Sequence, residues 1–291
     1  MSLGRPEPWP APGKLNLFLH VVGRRPDGYH QLQTVFQFID LCDELRFYER
    51  PSGVIERLGD VPGVDAEADL TIRAARWLAG RRPGGAGVAI AVSKRLPIQG
   101  GVGGGSSDAA TTLVALNQLW GFGLDVDELA AGGLALGADV PVFVRGRAAW
   151  AEGVGERVEP VDLPERVYLL VKPDASVSTA EVFAAPELTR NAPVITLRGF
   201  LTSGGRNDCE PVVRSRYPAV AEALDWLGRY GASRLTGTGA CVYAALPDEE
   251  AARAALSELP RRWTGYVVRG LNRSPLAVRS RLEPDRTGAR R

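Results

Sequence analysis

Residues 97–108 read PIQGGVGGGSSD, and this glycine-rich stretch determines how the chain on either side of it is interpreted. A short apolar run, residues 87–92, comes before it and is typical of a buried strand. After it, residues 109–120 carry apolar side chains at helical spacing, and the pattern stops at Gly121. The predicted order of elements is therefore strand, glycine loop and helix.

The loop itself, residues 100–107, holds five glycines and two serines. Glycine lets a backbone approach a ligand closely, and the free N–H groups at a helix N-terminus favour a bound phosphate. We expect this helix to be capped by Ser106, Ser107 or Asp108. A flexible glycine-serine linker is the alternative, but a linker would not lie between a buried strand and an amphipathic helix. The stretch also lacks the P-loop pattern and the dinucleotide-binding pattern.

Farther from the loop, strand and helix patterns are mixed along the chain, which predicts an α+β protein. The predicted strands cover residues 15–22, 36–48, 87–92, 142–144, 167–171, 241–246 and 266–268. The predicted helices cover residues 69–79, 109–120, 126–136, 219–230 and 248–259. Residues 24–28 predict a turn, because proline presets φ and the glycine accepts a positive φ.

The length of 291 residues exceeds what one hydrophobic core usually serves, so we expect two domains. Residues 160–166, with a proline at 160 and another at 164, are the best candidate for a linker. We predict an N-terminal domain with the phosphate loop over residues 1–162. A C-terminal domain would cover residues 163–285, and residues 286–291 would form a flexible tail.

The charge composition argues against some classes of partner. Lys and Arg total 35 and Asp and Glu total 34, so no net field attracts a polyanion or an anionic membrane. We therefore expect no nucleic-acid partner. Residues 1–12 do not resemble a signal peptide, and no stretch approaches the roughly 20 apolar residues of a membrane helix. We therefore expect no membrane association.

The three cysteines, Cys42, Cys209 and Cys241, are odd in number and far apart. They form no CxxC pair, so we expect neither a disulfide framework nor a zinc site. A reducing cytoplasm is the compartment that fits this usage.

Three stretches together resemble the GHMP kinase superfamily. Residues 12–17, PGKLNL, resemble its first motif, residues 97–110 its phosphate loop, and residues 235–242, LTGTGACV, its third motif. Within the superfamily, PDGYH at residues 26–30 and LGADVPVF at residues 136–143 are similar to the diphosphocytidyl-methylerythritol kinases.

The resemblance implies a two-domain α+β GHMP kinase fold. Its N-terminal domain would be like the second domain of ribosomal protein S5, its C-terminal domain would be ferredoxin-like, and the active site would lie between them. ATP would phosphorylate the 2-hydroxyl of 4-diphosphocytidyl-2-C-methyl-D-erythritol, a step of the non-mevalonate route to isoprenoid precursors. Magnesium would bridge the phosphates, and the loop could supply a serine to the metal.

By the same resemblance, Lys14 and Asp139 are the catalytic pair. A carboxylate near the acceptor hydroxyl can take its proton, and an ammonium between the hydroxyl and the γ-phosphate can offset developing charge. Phosphoryl transfer needs mainly such positioning and electrostatics. Taken singly, Lys14 could instead be an exposed lysine at a strand start, and Asp139 could cap a turn before Pro141.

The resemblance also implies two sets of binding residues. The residues that would bind the nucleotide are Lys94, Pro97, Ile98, Gln99, Gly100, Gly101, Val102, Gly103, Gly104, Gly105, Ser106 and Ser107. Those that would bind the acceptor are Asn16, Tyr29, His30 and Phe183. Tyr29 and Phe183 would stack on the two faces of cytosine and His30 would add hydrogen bonds. Asn16 could reach the diphosphate or satisfy neighbouring backbone, and core packing of the two aromatic rings is the alternative.

Three positions depart from the family pattern. Gly13 lies where alanine is usual, Gln99 where glycine is frequent, and Asp69 where asparagine is expected near the adenosine. Gln99 could contact the nucleotide. An ionised Asp69 accepts hydrogen bonds but cannot donate one, so we leave it out of the predicted site.

Three rival functions remain open at this point. A sister GHMP kinase acting on mevalonate, homoserine or a sugar would have no base to hold between Tyr29 and Phe183. A nucleic-acid-binding module could share the N-terminal fold, although the near-zero net charge argues against it. A nucleotide-binding protein without catalysis is disfavoured because Lys14 and Asp139 are both present. We expect ATP and a small acceptor as the partners of a monomer or weak homodimer.

Overall fold

The computed structural model describes residues 6–26, 28–61, 64–81 and 86–281. Asp27, in the predicted turn, and the tail predicted over residues 286–291 lie outside the described residues. Within the described part the chain forms ten strands and ten helices, which confirms the predicted α+β class.

The strands are β1 (Trp9–Arg24), β2 (His30–Arg50), β3 (Ile55–Leu58), β4 (Gly87–Ser93), β5 (Ala149–Gly153), β6 (Arg157–Pro160), β7 (Val167–Lys172), β8 (Arg234–Leu235), β9 (Val242–Leu246) and β10 (Thr264–Leu271). The helices are α1 (Leu70–Ala79), α2 (Gly104–Leu119), α3 (Val126–Leu134), α4 (Val140–Arg145), α5 (Thr179–Ala184), α6 (Leu197–Ser203), α7 (Glu210–Arg216), α8 (Pro218–Leu227), α9 (Glu249–Ser257) and α10 (Pro275–Ser280). No helix in this part of the chain combines the length and apolarity of a membrane span.

β2 is the centre of the sheet. It is 21 residues long and pairs antiparallel with β1, β4, β5 and β10. The strand predicted over residues 36–48 lies inside it, and the one predicted over residues 15–22 lies inside β1. β1 begins earlier than predicted because Pro10 and Pro12, whose missing N–H groups usually end a strand, are accommodated within it.

A β-bulge in β1 brings its backbone against the glycine loop. The register with β2 shifts between Pro12 and Lys14, and the backbone N–H of Lys14 donates to the Val102 carbonyl at 3.0 Å. Bulges re-aim the side chains that follow them. This one fixes the start of the Lys14 side chain relative to the loop.

One sheet runs through the whole molecule in the order β3, β4, β2, β10, β7, β9 and β8. β10 joins the two halves, because it pairs with β2 through Gly270 and Leu271 and with β7 along most of its length. β3 and β4 pair in parallel, and the other neighbours in this order are antiparallel.

Helices cover the two halves of the sheet differently. In the N-terminal half, α1 to α4 pack with β1, β2 and β4 around a core that contains Phe143. In the C-terminal half, α7, α8 and α9 pack on one face of β7 and β9, with Leu224 fully buried. The opposite face carries Tyr168 and Tyr243, which pack with Leu15 of β1. The strand that carries Lys14 therefore lies between the two halves.

Residues 161–166, inside the predicted linker, form neither helix nor strand. Val161 and Leu163 are nevertheless buried, and the Gln37 side chain donates to the Pro164 carbonyl at 3.1 Å. The segment is therefore a packed connection. The domain boundary placed within it stays a prediction.

The strand predicted at residues 142–144 is wrong, because these residues belong to the short helix α4. Pro141 lies in its first turn, where a missing N–H leaves no helical hydrogen bond unmade and φ is preset. All of residues 140–144 are buried. A short helix that is buried on every side has the same apolar pattern as a buried strand.

The predicted cap of α2 is also wrong. The helix begins at Gly104, and its N-cap is Gly103 with φ 75° and no side-chain hydrogen bond, rather than Ser106, Ser107 or Asp108. Glycine adopts this left-handed conformation without steric strain, so the helix starts inside the loop before its apolar pattern begins.

Candidate active site

Lys14 is a buried lysine whose ammonium group is held from several sides. Its side chain is 4% exposed, and Nζ donates to the Asn16 side-chain oxygen and, at 3.2 Å, to the Gly101 carbonyl. Nζ also lies 5.2 Å from the centroid of the Phe36 ring. Such a buried ammonium is oriented, because each of these contacts restricts where its protons point.

Asp139 completes an ion pair with this lysine. Its Oδ2 atom lies 3.4 Å from Lys14 Nζ, and its side chain is 31% exposed. It occupies the N-cap position of α4 but makes no capping hydrogen bond with its side chain. The structure thus brings together the two residues predicted as a pair, and the Asp139 carboxylate is not used as a cap.

The glycine loop approaches its neighbours closely, and two of its glycines combine this with a positive φ. Gly101 and Gly103 have φ values of 72° and 75°. A Cβ on Gly101 would lie 2.2 Å from the Thr236 carbonyl oxygen, and one on Gly103 would lie 2.8 Å from Phe143 Cζ and 3.2 Å from Lys14 Cε. The loop is therefore built against both the Lys14 side chain and the third glycine motif.

The third glycine motif, residues 235–242, is hydrogen-bonded to the glycine loop. The Cys241 N–H donates to the Gly100 carbonyl and the Ala240 N–H to the Gln99 carbonyl, each at 3.1 Å. The Thr236 hydroxyl also donates to the Gly101 carbonyl, at 3.2 Å. Two motifs that lie far apart in sequence thus form one bonded unit.

The first turn of α2 presents free backbone donors. The Ser107 N–H bonds to the Gly103 carbonyl at 2.9 Å, so the N–H groups of Gly104, Gly105 and Ser106 precede the first intrahelical bond. These donors and the positive end of the helix favour an anion.

Lys94 lies behind this turn in a cluster of buried charges. Its Nζ pairs with Asp43 and, at 2.7 Å, with Asp108. Burial raises the pKa of Asp108 to about 7, although the nearby Lys94 ammonium opposes the shift. Burial lowers the Lys94 pKa, but the two carboxylates outweigh it and the pKa rises. Sequence reasoning missed Asp43 and considered Asp108 only as a cap.

Two cavities meet at the loop. The larger, about 750 Å³, is lined by Lys14, Asp139 and all four residues predicted to bind the acceptor. The smaller, about 370 Å³, is lined by every residue predicted to bind the nucleotide except Ser107, which is fully buried. The residues that line both cavities are Gly101, Gly103 and Ser106. A ligand in one cavity would therefore reach the other only past the glycine loop.

The far end of the larger cavity is aromatic. The rings of His30 and Phe183 stack with centroids 5.1 Å apart, whereas Tyr29 is 66% exposed. Arg190 Nε donates to His30 Nε2 at 3.1 Å, and Arg190 Nη2 donates to the Phe183 and Ala185 carbonyls. Burial and the positive charges of Arg190 and Arg24 lower the pKa of His30, so its ring is neutral at pH 7. Sequence reasoning missed Arg190.

Asn16 lines the larger cavity next to Lys14. It is buried, accepts from Lys14, and donates from Nδ2 to Thr34 Oγ1 at 2.9 Å. Its backbone N–H donates to Thr236 Oγ1 at 3.1 Å. Its orientation is therefore fixed by Thr34 of β2 and by Thr236 of the third glycine motif, which follows β8.

Comparison with known proteins assigns the family. The GHMP kinases N terminal domain model matches residues 69–147, and the GHMP kinases C terminal model matches residues 193–265. The 4-diphosphocytidyl-2-C-methyl-D-erythritol kinase of Halorhodospira halophila is 58% identical over 96% of this chain and 98% of its own length. The enzyme of that name from Nitrosococcus oceani is 57% identical over 92% and 96%.

The chain belongs to the 4-diphosphocytidyl-2-C-methyl-D-erythritol kinase family. A crystal structure of 4-(cytidine 5'-diphospho)-2C-methyl-D-erythritol kinase superposes with a TM-score of 0.77 at 33% identity, over 91% of this chain and all of that one. A mevalonate kinase structure, at 18% identity and a TM-score of 0.68 over 91% of this chain and 99% of its own, shares the fold alone. The predicted family and GHMP kinase fold are confirmed.

Two departures from the pattern of this kinase family have a structural account. Gln99 adopts φ 52°, a conformation that favours glycine, and its side-chain oxygen accepts from Ser176. Asp69 caps α1 by accepting from the Thr71 N–H at 2.8 Å and pairs with Arg57 at 2.8 Å. Both side chains line the smaller cavity while bonded to the protein.

Proposed function

We propose that this chain transfers the γ-phosphoryl group of ATP to the 2-hydroxyl of 4-diphosphocytidyl-2-C-methyl-D-erythritol, as a step of the non-mevalonate route. The observation that carries the proposal is the junction of the two cavities at Gly101, Gly103 and Ser106, with Lys14 and Asp139 on the side of the larger one. GHMP kinases use ATP, and the smaller cavity with its free N–H groups suits the donor.

Asp139 is the general base in this proposal. It is the carboxylate that lines the larger cavity, and its partial exposure leaves it accessible to an acceptor hydroxyl. Lys14, 3.4 Å away, would lower the pKa of that hydroxyl and offset the charge that develops on the transferred group. Its bonds to Asn16 and Gly101 hold the ammonium at the cavity junction.

The first turn of α2 would bind the triphosphate. The N–H groups of Gly104, Gly105 and Ser106 offer fixed donors, and the smaller cavity beyond them would take the adenosine. Lys94 would contribute to triphosphate binding mainly through its positive charge near this turn. A direct hydrogen bond is disfavoured because Asp43 and Asp108 already pair with its ammonium group.

Magnesium fits this site with few protein ligands. No group of three or more His, Cys, Asp or Glu side chains suited to a metal occurs among the described residues. Magnesium in kinases is typically held by substrate phosphates, water and one or two protein oxygens. The Ser106 hydroxyl, at the cavity junction, would be such an oxygen, and the ion would neutralise phosphate charge.

The aromatic end of the larger cavity would hold the cytosine. Tyr29 and Phe183 offer faces for stacking, worth roughly 1–3 kcal/mol per base. His30 is held neutral and oriented by Arg190, so it can offer a hydrogen bond without a charge. Asn16 would contact the diphosphate that joins the base to the reacting polyol.

The acceptor assay tests the substrate. Purified protein is incubated with ATP and magnesium and with the cytidyl substrate, mevalonate, homoserine or galactose, and ADP formation is measured. We expect the highest kcat/KM for the cytidyl substrate because only it has a base for Tyr29, His30 and Phe183. Faster turnover of any other acceptor would refute the proposed substrate.

Replacing Asp139 with Asn tests the mechanism. We expect kcat to fall by about a hundredfold to ten-thousandfold with little change in KM for ATP, because the general base is lost and the phosphate loop is intact. Asp162→Asn, at an exposed carboxylate outside both cavities, is the matched control. Undiminished transfer by the Asp139 variant would show that another group takes the proton.

The remaining proposals concern the cellular compartment, the oligomeric state and the absence of a nucleic-acid partner. We propose that the protein is located in a reducing cytoplasm, because Cys42, Cys209 and Cys241 are all free thiols. We also propose a monomer or weak homodimer that binds no nucleic acid, in line with the net charge of +1.

A further inference from the structure

A third cavity, of about 490 Å³, lies apart from the two described above. It opens on the face of β7 and β9 that carries Tyr168 and Tyr243, opposite the face covered by α8 and α9. None of its lining residues lines either of the other cavities. Its size lies within the range of small-molecule sites, about 300–1,000 Å³.

The cavity is positively charged. Arg166 and Arg234 line it, and its lining includes no Asp or Glu among the residues that the structure describes. Within the described part of the chain, neither guanidinium has a carboxylate partner; Arg234 donates to the Gly205 carbonyl. Burial raises the pKa of Tyr168 to about 12, and the charges of both arginines oppose that shift, so both act on the Tyr168 hydroxyl.

The rest of the lining is largely apolar. Leu17 and Phe200 form part of the wall, and Leu201 is 53% exposed beside them. The two tyrosine hydroxyls are already committed, because Tyr168 donates to Gln37 at 2.8 Å and Tyr243 donates to the Asn16 carbonyl at 3.0 Å. The polar contacts to a ligand would therefore come from the guanidinium groups, whose planar donors match phosphate oxygens.

The position of the cavity links it to catalysis. On β1, Leu17 lines this cavity while the adjacent Asn16 lines the acceptor cavity. The Tyr243 hydroxyl bonds to the Asn16 carbonyl across that strand. A ligand here would contact the reverse side of the strand that carries Lys14.

We propose that this cavity is an effector site for a phosphate ester with a small hydrocarbon body. Two guanidinium groups bind the phosphate, and the wall formed by Leu17, Phe200 and Leu201 covers the hydrocarbon. Occupancy changes the affinity for the acceptor through β1.

Calorimetric titration of the full chain with pentyl phosphate tests the binding step, with a non-hydrolysable ATP analogue present to occupy the phosphate loop. Inorganic phosphate and pentanol are titrated as partial probes, and we expect both to bind more weakly. Arg166→Gln and Arg234→Gln should each weaken pentyl phosphate binding by about tenfold or more. Arg261→Gln, at an exposed arginine that lines none of the three cavities, is the matched control.

Steady-state kinetics test the effector role. Saturating pentyl phosphate should shift KM for the acceptor by at least about fivefold in the wild type and in Arg261→Gln, but not in Arg166→Gln. Binding that survives both cavity substitutions, inorganic phosphate that binds as tightly as the ester, or an unchanged KM would each overturn the proposal. The titration needs no turnover, so its outcome is independent of the proposed kinase reaction, and thermal melting confirms that each variant is folded.

Discussion

At the scale of single residues, a cluster of paired charges borders the smaller cavity. One ammonium, Lys94, faces two buried carboxylates, Asp43 and Asp108. Asp43 also accepts from the backbone N–H groups of Arg95 and Leu96, so it is well satisfied as an anion. Asp108 has one buried oxygen, Oδ1, that has no hydrogen-bond partner within the described part of the chain. The cluster therefore stabilises the charge on Asp43 better than the charge on Asp108.

This imbalance predicts a pH-dependent stability. Asp108 has a pKa of 3.8 before burial and about 7 in the fold, so between these values the folded state holds a proton that the unfolded state has released. The free energy of unfolding should therefore fall as pH rises from about 4 to about 7, and level off above. Lys94 does not titrate in this window, because its pKa is raised from 10.5.

The comparison with Asp108→Asn isolates the effect. Urea unfolding at several pH values should show wild type losing at least about 1 kcal/mol relative to the variant across this window, since one pKa unit is worth about 1.4 kcal/mol. A difference that stays constant, or grows in favour of wild type, would contradict the assignment.

The positions of the candidate site residues were predictable only where a motif carried them. Lys14 and Asp139 each follow from a local pattern, and the structure places them 3.4 Å apart. Asp43 lies in an ordinary strand pattern, 51 residues from the lysine that it pairs with. Arg190 likewise reaches His30 across 160 residues. No local signal in the sequence reveals such partners, because the fold alone brings them together.

At the scale of elements, the start of α2 sets the geometry of the site. Gly103 is in a left-handed conformation between Phe143 and Lys14, whereas Gly105 is helical and has only Leu70 Cδ1 near its open side, at 3.8 Å. Two glycines of the same loop, separated by Gly104, thus serve different purposes. The first permits a close approach, and the second leaves room in front of the helix.

Alanine substitutions at Gly103 and at Gly105 distinguish the need for a close approach from the need for open space. Gly103→Ala should lower the free energy of unfolding by about 2–5 kcal/mol, from left-handed strain and overpacking, and lower kcat because its Cβ displaces Lys14. Gly105→Ala, the matched control for folding, should raise stability by about 0.5–1 kcal/mol because alanine favours a helix. Urea unfolding and the ADP assay measure both. Equal effects of the two substitutions would show that Gly103 has no special conformation.

Elements were predictable when they were long and periodic. The helices expected over residues 69–79 and 248–259 match α1 and α9 to within about two residues, because each has a clear apolar face. α4 was predicted as a strand, and the six- and seven-residue helices α5, α6, α7 and α10 were not predicted at all. A helix of two turns or fewer shows too few repeats for its period to be distinguished.

At the scale of the whole molecule, backbone hydrogen bonds join the N-terminal and C-terminal halves. The N-terminal strand β1 bonds to the C-terminal half, since the Leu19 N–H donates to the Arg206 carbonyl at 3.0 Å and the Asp208 N–H donates to the Leu19 carbonyl at 2.8 Å. The buried Asp208 side chain also accepts from the Val21 N–H at 2.8 Å. β10 also pairs with β2, so each half loses backbone hydrogen bonds if the other unfolds.

The chain should therefore unfold as one cooperative unit. Hydrogen exchange followed by mass spectrometry should give the slowest amides of β4 and of β9 the same free energy of opening. Leu224→Ala, in the C-terminal core, should lower both by the same amount, about 2–5 kcal/mol, because opening either strand requires global unfolding. Leu134→Ala, at a largely exposed position of α3, should change neither by more than about 0.5 kcal/mol. A loss confined to β9 would mean that the halves unfold separately, and that the strands they share bind too weakly to couple them.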